Sequence, residues 1–276
     1  RAWGIPVRFH DYKLLRQHFN ADFYEFHLSY EDLHVDMNQY LELHADKGFV
    51  VHAPELFGGD HVLDLCNDDA DYKALSIKFL EETIDTTLDL KAFFKNEQKP
   101  MIIVNVGGWS IDAFIDDKSI IDRKYKEIEE ILLQFQDPNF ELIIQTMPPY
   151  PWHFGGQRFH NLFVSEGEII DFCNRTGIRL CLDIAHSYMS CRFMDIDFTE
   201  HLRKLASHVA YLHVVDASGV DQEGMNLGEG EINFHEVWPL LHECCPDVRF
   251  IPEIWQGHKN RGEGFAKALN YLSELD

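Results

Sequence analysis

The sequence has few basic residues, and this scarcity argues against one broad class of partner. Lysine and arginine number 24 against 47 aspartates and glutamates, which gives a formal net charge of −23 over 276 residues. The cations are scattered, so no basic stripe offsets the repulsion between this acidic chain and a phosphate backbone. We therefore expect no nucleic-acid partner.

Long apolar runs and paired cysteines are also missing. No run approaches the roughly 18 residues of a membrane span, so we expect no membrane partner. The six cysteines form no Cys-x-x-Cys pair, and a reduced, buried thiol is the usual state in apolar runs. These features predict a cytoplasmic protein. The chain begins with Arg1 and no signal peptide follows, which is expected of a trimmed chain or of one domain of a longer protein.

Short apolar segments, most followed by a helical pattern, alternate along the whole chain. The predicted strands are residues 4–9, 22–29, 48–53, 101–106, 141–146, 180–182, 209–215 and 249–254. The predicted helices include residues 11–19, 37–45, 72–94, 122–135 and 264–275. This α/β alternation favours a parallel sheet, and eight units fit a closed (β/α)8 TIM barrel. No Gly-x-Gly-x-x-Gly follows a strand and no linker is found, so we predict a single TIM-barrel domain over residues 1–276.

Polar side chains follow nearly every predicted strand. They are His27, His52, Asn105, Gln145, Asp183, His186, His213, Asp216 and Glu253. The carboxyl ends of barrel strands all face one mouth, where TIM barrels carry out their chemistry. A single buried polar residue is usually a satisfied core group, but carboxylates and imidazoles around one mouth indicate a divalent metal ion such as Mn, Zn, Mg or Co.

The loop from Met147 to Asn161 is the most distinctive stretch of the chain. It contains three prolines and two glycines, so we predict no helix there. Trp152 and its aromatic neighbours offer apolar faces to a sugar ring, and Arg158 can hold a carboxylate or phosphate in bidentate fashion. The alternative is a stiff loop whose aromatic rings only cover the barrel.

Two other cationic features bear on the substrate. Arg8, at the end of the first strand, could clamp an anion, or it could form a salt bridge with Glu25 or Asp11. The segment 258–261 follows the last strand and contains His, Lys, Asn and Arg. Loops after strands seven and eight of TIM barrels often bind phosphate, so this segment hints at an anionic substrate.

Four short motifs occur in an order that resembles a known family. They are His52-Ala53-Pro54, Leu182-Asp183-Ile184-Ala185-His186, Leu212-His213-Val214-Val215-Asp216 and Gly228-Glu229-Gly230-Glu231-Ile232. The ordered set resembles the xylose-isomerase-like TIM-barrel superfamily. That group includes sugar-phosphate isomerases and epimerases, ketose 3-epimerases and AP endonucleases of the endonuclease IV type. The resemblance covers nearly the whole chain and implies a small sugar, sugar-phosphate or sugar-acid substrate.

The resemblance also implies roles for individual residues. In the epimerase branch a metal is held by Glu, Asp, His and Glu from strands five to eight, which correspond here to Gln145, Asp183, His213 and Glu253. Glu253 would also transfer the proton. His186 would be a second catalytic residue, a substrate-binding residue or a ligand of a second metal ion. The expected substrate-binding residues are His52, Trp152, Arg158 and Arg8. His52 could instead bind a second metal ion.

Two departures from the family pattern stand out. Gln145 replaces the usual Glu, and an amide cannot take up a proton at neutral pH. Either a one-base mechanism uses Glu253, or another residue replaces the lost base, or the barrel no longer isomerises. Asn105 stands where the endonuclease branch has a metal-bridging His, and the Asp-x-His of that branch is absent. A trinuclear zinc site and a DNA-repair function are therefore disfavoured.

The leading hypothesis is a metal-dependent sugar or sugar-phosphate isomerase or epimerase that acts through a metal-stabilised enediolate. The alternative is a non-catalytic sugar-binding or regulatory barrel, and an AP-endonuclease-type phosphodiesterase is a third. The opening Gly4–Asp11 and the Pro149–Trp152 stretch also resemble the barrel domain appended to sialic-acid-synthase-type proteins. That resemblance implies a sugar of sialic-acid biosynthesis and fusion to other domains. A homo-oligomer is a further expectation.

Overall fold

The computed structural model describes residues 1–44, 46–153 and 156–275. Within them, eight parallel strands form one sheet, and each strand pairs with the next in chain order. The strands are β1 (Gly4–Val7), β2 (Phe23–His27), β3 (Gly48–His52), β4 (Met101–Val104), β5 (Glu141–Gln145), β6 (Leu180–Asp183), β7 (Val209–Val214) and β8 (Arg249–Pro252). A parallel bridge between Trp3 and Phe250 closes β1 onto β8. The predicted single (β/α)8 TIM barrel is confirmed.

Helices surround this barrel. In the described part of the chain they are α1 (Phe9–His18), α2 (Ala70–Leu90), α3 (Lys118–Gln134), α4 (Glu166–Thr176), α5 (Ile184–Met194), α6 (Phe198–Leu205), α7 (Phe234–Cys244) and α8 (Lys259–Ser273). Asn260, Arg261 and Gly262 have φ of 51°, 66° and 89°, so the regular part of α8 begins after them. This agrees with the helix predicted from residue 264. Both α5 and α6 lie between β6 and β7.

The helix predicted over residues 37–45 is wrong. The chain makes only a 3-10 turn there, Met37–Gln39, and no α-helix is described between β2 and β3. The backbone of His44 bonds to a distant segment, since its N–H lies 2.6 Å from the carbonyl oxygen of Phe93 and its carbonyl oxygen 3.0 Å from the N–H of Lys95. These backbone groups are therefore not used in a helical turn. Ala45, the last residue of the predicted helix, lies outside the described residues.

The barrel interior determines which side chains reach the mouth. A separate apolar cluster consists of Phe23, Val50, Met101, Ile103, Ile143, Cys181, Ala210, Tyr211 and Ile251. Alternate residues of a strand face the same side of a sheet. Gln145, Asp183, His213 and Glu253 each come two residues after a member of this cluster. They therefore continue the inward-facing rows up to the carboxyl ends of the strands.

Two predictions based on absences can be compared with the structure. All six cysteines are free thiols, and five of them are buried, as expected. No helix among the described residues is long and apolar enough to cross a membrane.

Candidate metal centre

His213 lies at the centre of a cluster of polar side chains at the mouth of the barrel. Its imidazole is fully buried, and its Nδ1 lies 2.7 Å from Glu253 Oε2, 3.1 Å from Gln145 Nε2 and 3.7 Å from Asp183 Oδ2. The structure thus brings together the four residues predicted as metal ligands. Ligands held about 2.1 Å from one ion lie roughly 3 to 3.5 Å from one another. The observed separations from His213 Nδ1 are close to that range.

Gln145 points into this cluster and is 2% exposed. Its Nε2 lies 3.2 Å from Asp183 Oδ2, and its Oε1 lies 2.9 Å from His52 Nε2. A half-turn of the amide exchanges these two atoms, which places the carbonyl oxygen beside Asp183 and His213 and the NH2 group on His52. Gln145 can therefore supply a neutral oxygen ligand, but it cannot accept a proton.

Glu25 on β2 is the site residue that the sequence reasoning missed. It is fully buried, its Oε2 lies 3.1 Å from His213 Nε2, and its Oε1 contacts His27 Nε2. Burial opposes its ionisation, but the imidazoles of His213 and His27 hold the pKa of Glu25 well below its ordinary value. The signal that could have found it is its spacing, since Glu25 lies two residues after inward-facing Phe23 and two before His27.

The donor atoms of the cluster are compatible with a divalent cation. Among the described residues, two sets of ligand atoms lie within 4.8 Å of one another: Glu25, His27 and His213, and His52, His213 and Glu253. Both sets contain His213, and each combines one carboxylate with two imidazoles. Such mixed nitrogen and oxygen donors suit Zn, Co or Mn. Because Glu25 accepts a hydrogen bond from His213 Nε2–H, His213 Nδ1 is the ring atom left to face an ion.

His186 lies beside Asp183 at the edge of the cluster. Its Nδ1 lies 2.8 Å from the carbonyl oxygen of Thr146, and its Nε2 lies 2.6 Å from Glu223 Oε2. Burial disfavours the charged ring, but the Asp183 and Glu223 carboxylates outweigh it and raise the pKa of His186 to about 10. Both ring nitrogens therefore act as donors at neutral pH. Thr146 and Glu223 occupy both ring nitrogens, so His186 presents no free nitrogen to an ion held by Asp183.

We expect the Glu223→Gln substitution to lower the pKa of His186 from about 10, because it removes one of the carboxylates that stabilise the charged ring. The pKa of His186 in the folded protein lies above the ordinary value of 6.5. The contact between the charged ring and the carboxylates therefore stabilises the fold fully below pH 6.5, and this stabilisation is lost as the pH rises through about 10. In the variant this loss occurs at lower pH. An NMR titration of the His186 ring measures the shift, with exposed Glu229→Gln as the control. An unchanged His186 pKa in Glu223→Gln would contradict the assignment.

Asp216, another predicted strand-end residue, has a structural role. Its carboxylate accepts hydrogen bonds from the backbone N–H groups of Ala217, Gly228, Gly230 and Ile232, at 2.8–3.1 Å. A Cβ atom on Gly230 would come within 2.3 Å of Asp216 Oδ1, so this turn needs glycine at that position. The buried Asp216 carboxylate thus hydrogen-bonds the Gly-Glu-Gly-Glu-Ile motif to the end of β7.

Asn105, directly after β4, bonds to a residue outside the cluster around His213. It is 6% exposed, and its Nδ2 donates to Glu55 Oε1.

The predicted substrate-binding residues lie at different places on the rim. Arg8 is 44% exposed and pairs with Asp32 at 3.7 Å, rather than with Glu25 or Asp11. Only its backbone N–H meets Asp11, at 2.7 Å from Oδ1. His52 is buried and bonds to Gln145 as described above.

The loop after β5 contains no helix among its described residues, as predicted, and carries Trp152 and Arg158. Trp152–His153 pairs with Gly156–Gln157 in a hairpin, and Trp152 is 62% exposed. The guanidinium carbon of Arg158 lies 5.5 Å from the centre of the Trp109 ring. Positions 154 and 155 of the aromatic stretch lie outside the described residues.

Comparison with known proteins agrees with this architecture. A family model described as xylose isomerase-like TIM barrel matches residues 14–275. A D-tagatose 3-epimerase-like protein is 18% identical, with 99% of both chains covered and a TM-score of 0.66. D-psicose 3-epimerase from Clostridium cellulolyticum H10 is 14% identical, with 100% of this chain and 99% of that chain covered and a TM-score of 0.64. Endonuclease IV from Thermus thermophilus is 14% identical, with 99% of this chain and 100% of that chain covered and a TM-score of 0.58.

These structural similarities establish the fold alone, because the identities are low. In sequence, the uncharacterized protein MJ1311 of Methanocaldococcus jannaschii is 26% identical over 128 residues, which is 46% of this chain and 41% of that protein. The uncharacterized protein MJ1614 of the same organism is 22% identical over 163 residues, which is 59% of this chain and 55% of that protein. The chain spans about half the length of the curated relatives it matches.

Proposed function

Because this chain belongs to the xylose isomerase-like TIM barrel family, we propose that it is a metal-dependent sugar or sugar-phosphate isomerase or epimerase. The observation that carries the proposal is the convergence of Glu253, Gln145 and Asp183 on His213 Nδ1 at the mouth of the barrel. This is where TIM-barrel enzymes hold their substrates.

The metal ion would be held by Asp183, His213, Glu253 and the carbonyl oxygen of Gln145. The carboxylate and carbonyl oxygens of this set suit Mg and Mn, and the imidazole nitrogen suits Zn and Co. When bound, the ion supplies a Lewis acid that polarises a substrate carbonyl and the adjacent hydroxyl and lowers the free-energy cost of the enediolate.

Glu253 is the proton-transfer group. It is 26% exposed, so part of its carboxylate faces the mouth while its Oε2 remains 2.7 Å from His213 Nδ1. As a carboxylate it removes the proton from the carbon beside the carbonyl and returns it to the former carbonyl carbon, while the hydroxyl proton passes to the former carbonyl oxygen. Gln145 cannot serve as a second base, so this transfer on one face produces isomerisation. Inversion at one carbon needs a donor on the opposite face, and the charged ring of His186 is the candidate.

The substrate side of the proposal uses the residues of the rim. Trp152 offers a ring face to the sugar, Arg158 and Arg8 hold a phosphate or carboxylate, and His52 binds a hydroxyl. The resemblance of the opening segment to the barrel appended to sialic-acid-synthase-type proteins favours a nine-carbon sugar acid or a hexosamine precursor. A cytoplasmic location, fusion to other domains and assembly into a homo-oligomer belong to the same proposal.

Proton exchange with solvent tests this function. Protein loaded with Mn²⁺ or Co²⁺ is incubated in D2O with aldoses, ketoses, sugar phosphates and sugar acids, and NMR follows deuterium at the carbon beside each carbonyl. We expect incorporation into at least one substrate, and the signal should disappear in Glu253→Gln. The amide of Gln145 favours a second candidate, a sugar-binding barrel without catalysis. Thermal stabilisation by a sugar without any deuterium incorporation would support that candidate and overturn the first.

A further inference from the structure

We infer that Glu25 is a positioning residue of this site, which orients the metal-facing side of His213 and the carboxylate of Glu253. The inference rests on the proposed function, since it concerns the same cluster. Glu25 lies below the mouth, is fully buried and does not reach the substrate space. It therefore acts through the two imidazoles that it contacts.

The burial of Glu25 indicates that its carboxylate has a role other than filling space in the barrel. The inward-facing residues around it are mostly apolar, beginning with Phe23 on its own strand, and the hydroxyl of Tyr211 is the polar exception. An ionised carboxylate in such surroundings costs several kcal/mol, by order of magnitude, unless it is paired and hydrogen-bonded. Both oxygens of Glu25 have an imidazole partner, His213 for Oε2 and His27 for Oε1. An apolar residue of similar size would fill the same space without this cost.

The first effect of the pairing is on the tautomer of His213. Glu25 Oε2 accepts the Nε2–H of His213 at 3.1 Å, so the ring carries a proton on that nitrogen and directs Nδ1 to Glu253, Asp183 and Gln145. Without the carboxylate the neutral ring could carry its proton on Nδ1 or rotate away. Carboxylate partners of this kind fix the orientation of metal-binding histidines and raise their basicity.

The second effect is on Glu253, because the four side chains form a closed ring. One oxygen of Glu253 lies 2.7 Å from His213 Nδ1, and the other lies 3.6 Å from His27 Nε2. Glu25 holds both of these imidazoles from below. Each oxygen of Glu253 therefore faces an imidazole that also contacts Glu25, so the orientation of the Glu253 carboxylate depends on Glu25.

The experiment compares Glu25→Gln and Glu25→Leu with the wild type and with Asp216→Asn. Asp216 is an equally buried carboxylate just after β7, and within the described residues its hydrogen bonds are to backbone N–H groups. Metal-free protein is titrated with Co²⁺, with calorimetry for affinity, elemental analysis for stoichiometry and the visible spectrum for coordination. The hydrogen-bonded Nε2–H signal of His213 is followed by NMR in the metal-free proteins.

We expect about one equivalent of Co²⁺ in the wild type and an affinity roughly 10- to 100-fold lower in Glu25→Gln, with a larger loss in Glu25→Leu. The Asp216→Asn control should bind Co²⁺ as the wild type does once it is folded. The His213 Nε2–H signal should be present in the wild type and lost in Glu25→Leu.

Three results would overturn the inference. Wild-type Co²⁺ affinity in Glu25→Gln would show that the carboxylate does not act on the site. Two equivalents in the wild type and one in Glu25→Gln would make Glu25 a ligand of a second ion. An unchanged His213 Nε2–H signal in Glu25→Leu would remove the first step of the argument. If the wild type binds no Co²⁺, the proposed metal-dependent function fails, and the NMR signal still decides whether Glu25 orients His213.

Discussion

Replacing Glu253 with glutamine should lower turnover by about 100- to 10,000-fold, the range that general acid–base catalysis usually supplies. The amide keeps the shape of the side chain but cannot accept the proton from the substrate carbon. The fold should be unaffected, because the amide keeps an oxygen that can face His213 Nδ1, and the backbone N–H of residue 253 still bonds to the carbonyl oxygen of Val214 on β7 at 3.2 Å. The substrate is whichever sugar shows deuterium exchange with the wild type.

Two controls make this result specific to proton transfer. Glu229→Gln removes an exposed carboxylate that bonds only to Asn226, at 3.0 Å in the described structure, and should leave turnover unchanged. Metal analysis of Glu253→Gln shows whether the amide still holds the ion through its carbonyl oxygen. Unchanged turnover in Glu253→Gln with a full complement of metal would rule out Glu253 as the catalytic base.

The double substitution Asp183→Ala/His213→Ala should empty the metal site. Wild-type protein purified without chelator should contain about one equivalent of Mn, Zn, Co or Fe, as expected for a single site of mixed nitrogen and oxygen donors. The double variant loses the central imidazole and the buried carboxylate 3.7 Å from it. Two donors then remain of the four, and elemental analysis should find essentially no bound metal.

Loss of stability must be separated from loss of ligands in this variant. Asp183 Oδ1 also accepts the backbone N–H of His186 at 2.9 Å and so caps the start of α5, and such caps contribute about 1 kcal/mol. His61→Ala/Asp64→Ala removes another buried histidine and aspartate, neither of them among the four predicted ligands, and is the matched control. Mg²⁺ can wash out, so an empty wild type is remeasured with added Mg²⁺ and Mn²⁺. If it stays empty, the metal-dependent proposal is wrong and the sugar-binding alternative gains weight.

Much of this site was predictable because a strand alternates its faces residue by residue. Gln145, Asp183 and Glu253 each end an apolar run, and His213 lies close to the end of one, so their type and their place near the mouth could be predicted. That Gln145 faces the cluster, and not outward, could be seen only in the structure. Glu25 follows the same alternation, but it lies within the run Phe-Tyr-Glu-Phe and is not at its end. A search for polar residues at strand ends passes over such a position.

Other features depend on contacts between residues that are far apart in the chain. Asp216 has the same sequence context as a ligand, and only the backbone N–H groups of residues 228–232 reveal its structural role. The segment 37–45 contains residues compatible with a helix, yet the structure keeps only the turn Met37–Gln39. Contacts between distant residues determine both the role of Asp216 and the conformation of segment 37–45. Such contacts leave no local pattern in the sequence.

The amide of Gln145 has a consequence for the charge balance of the loaded site. Asp183 and Glu253 together contribute two negative charges, which a divalent ion would cancel, whereas a glutamate at position 145 would leave the centre anionic. The whole chain carries a formal charge of −23, and such a field repels phosphates and carboxylates. An electrically neutral centre would let an anionic sugar approach the ion without opposition from the ligands themselves.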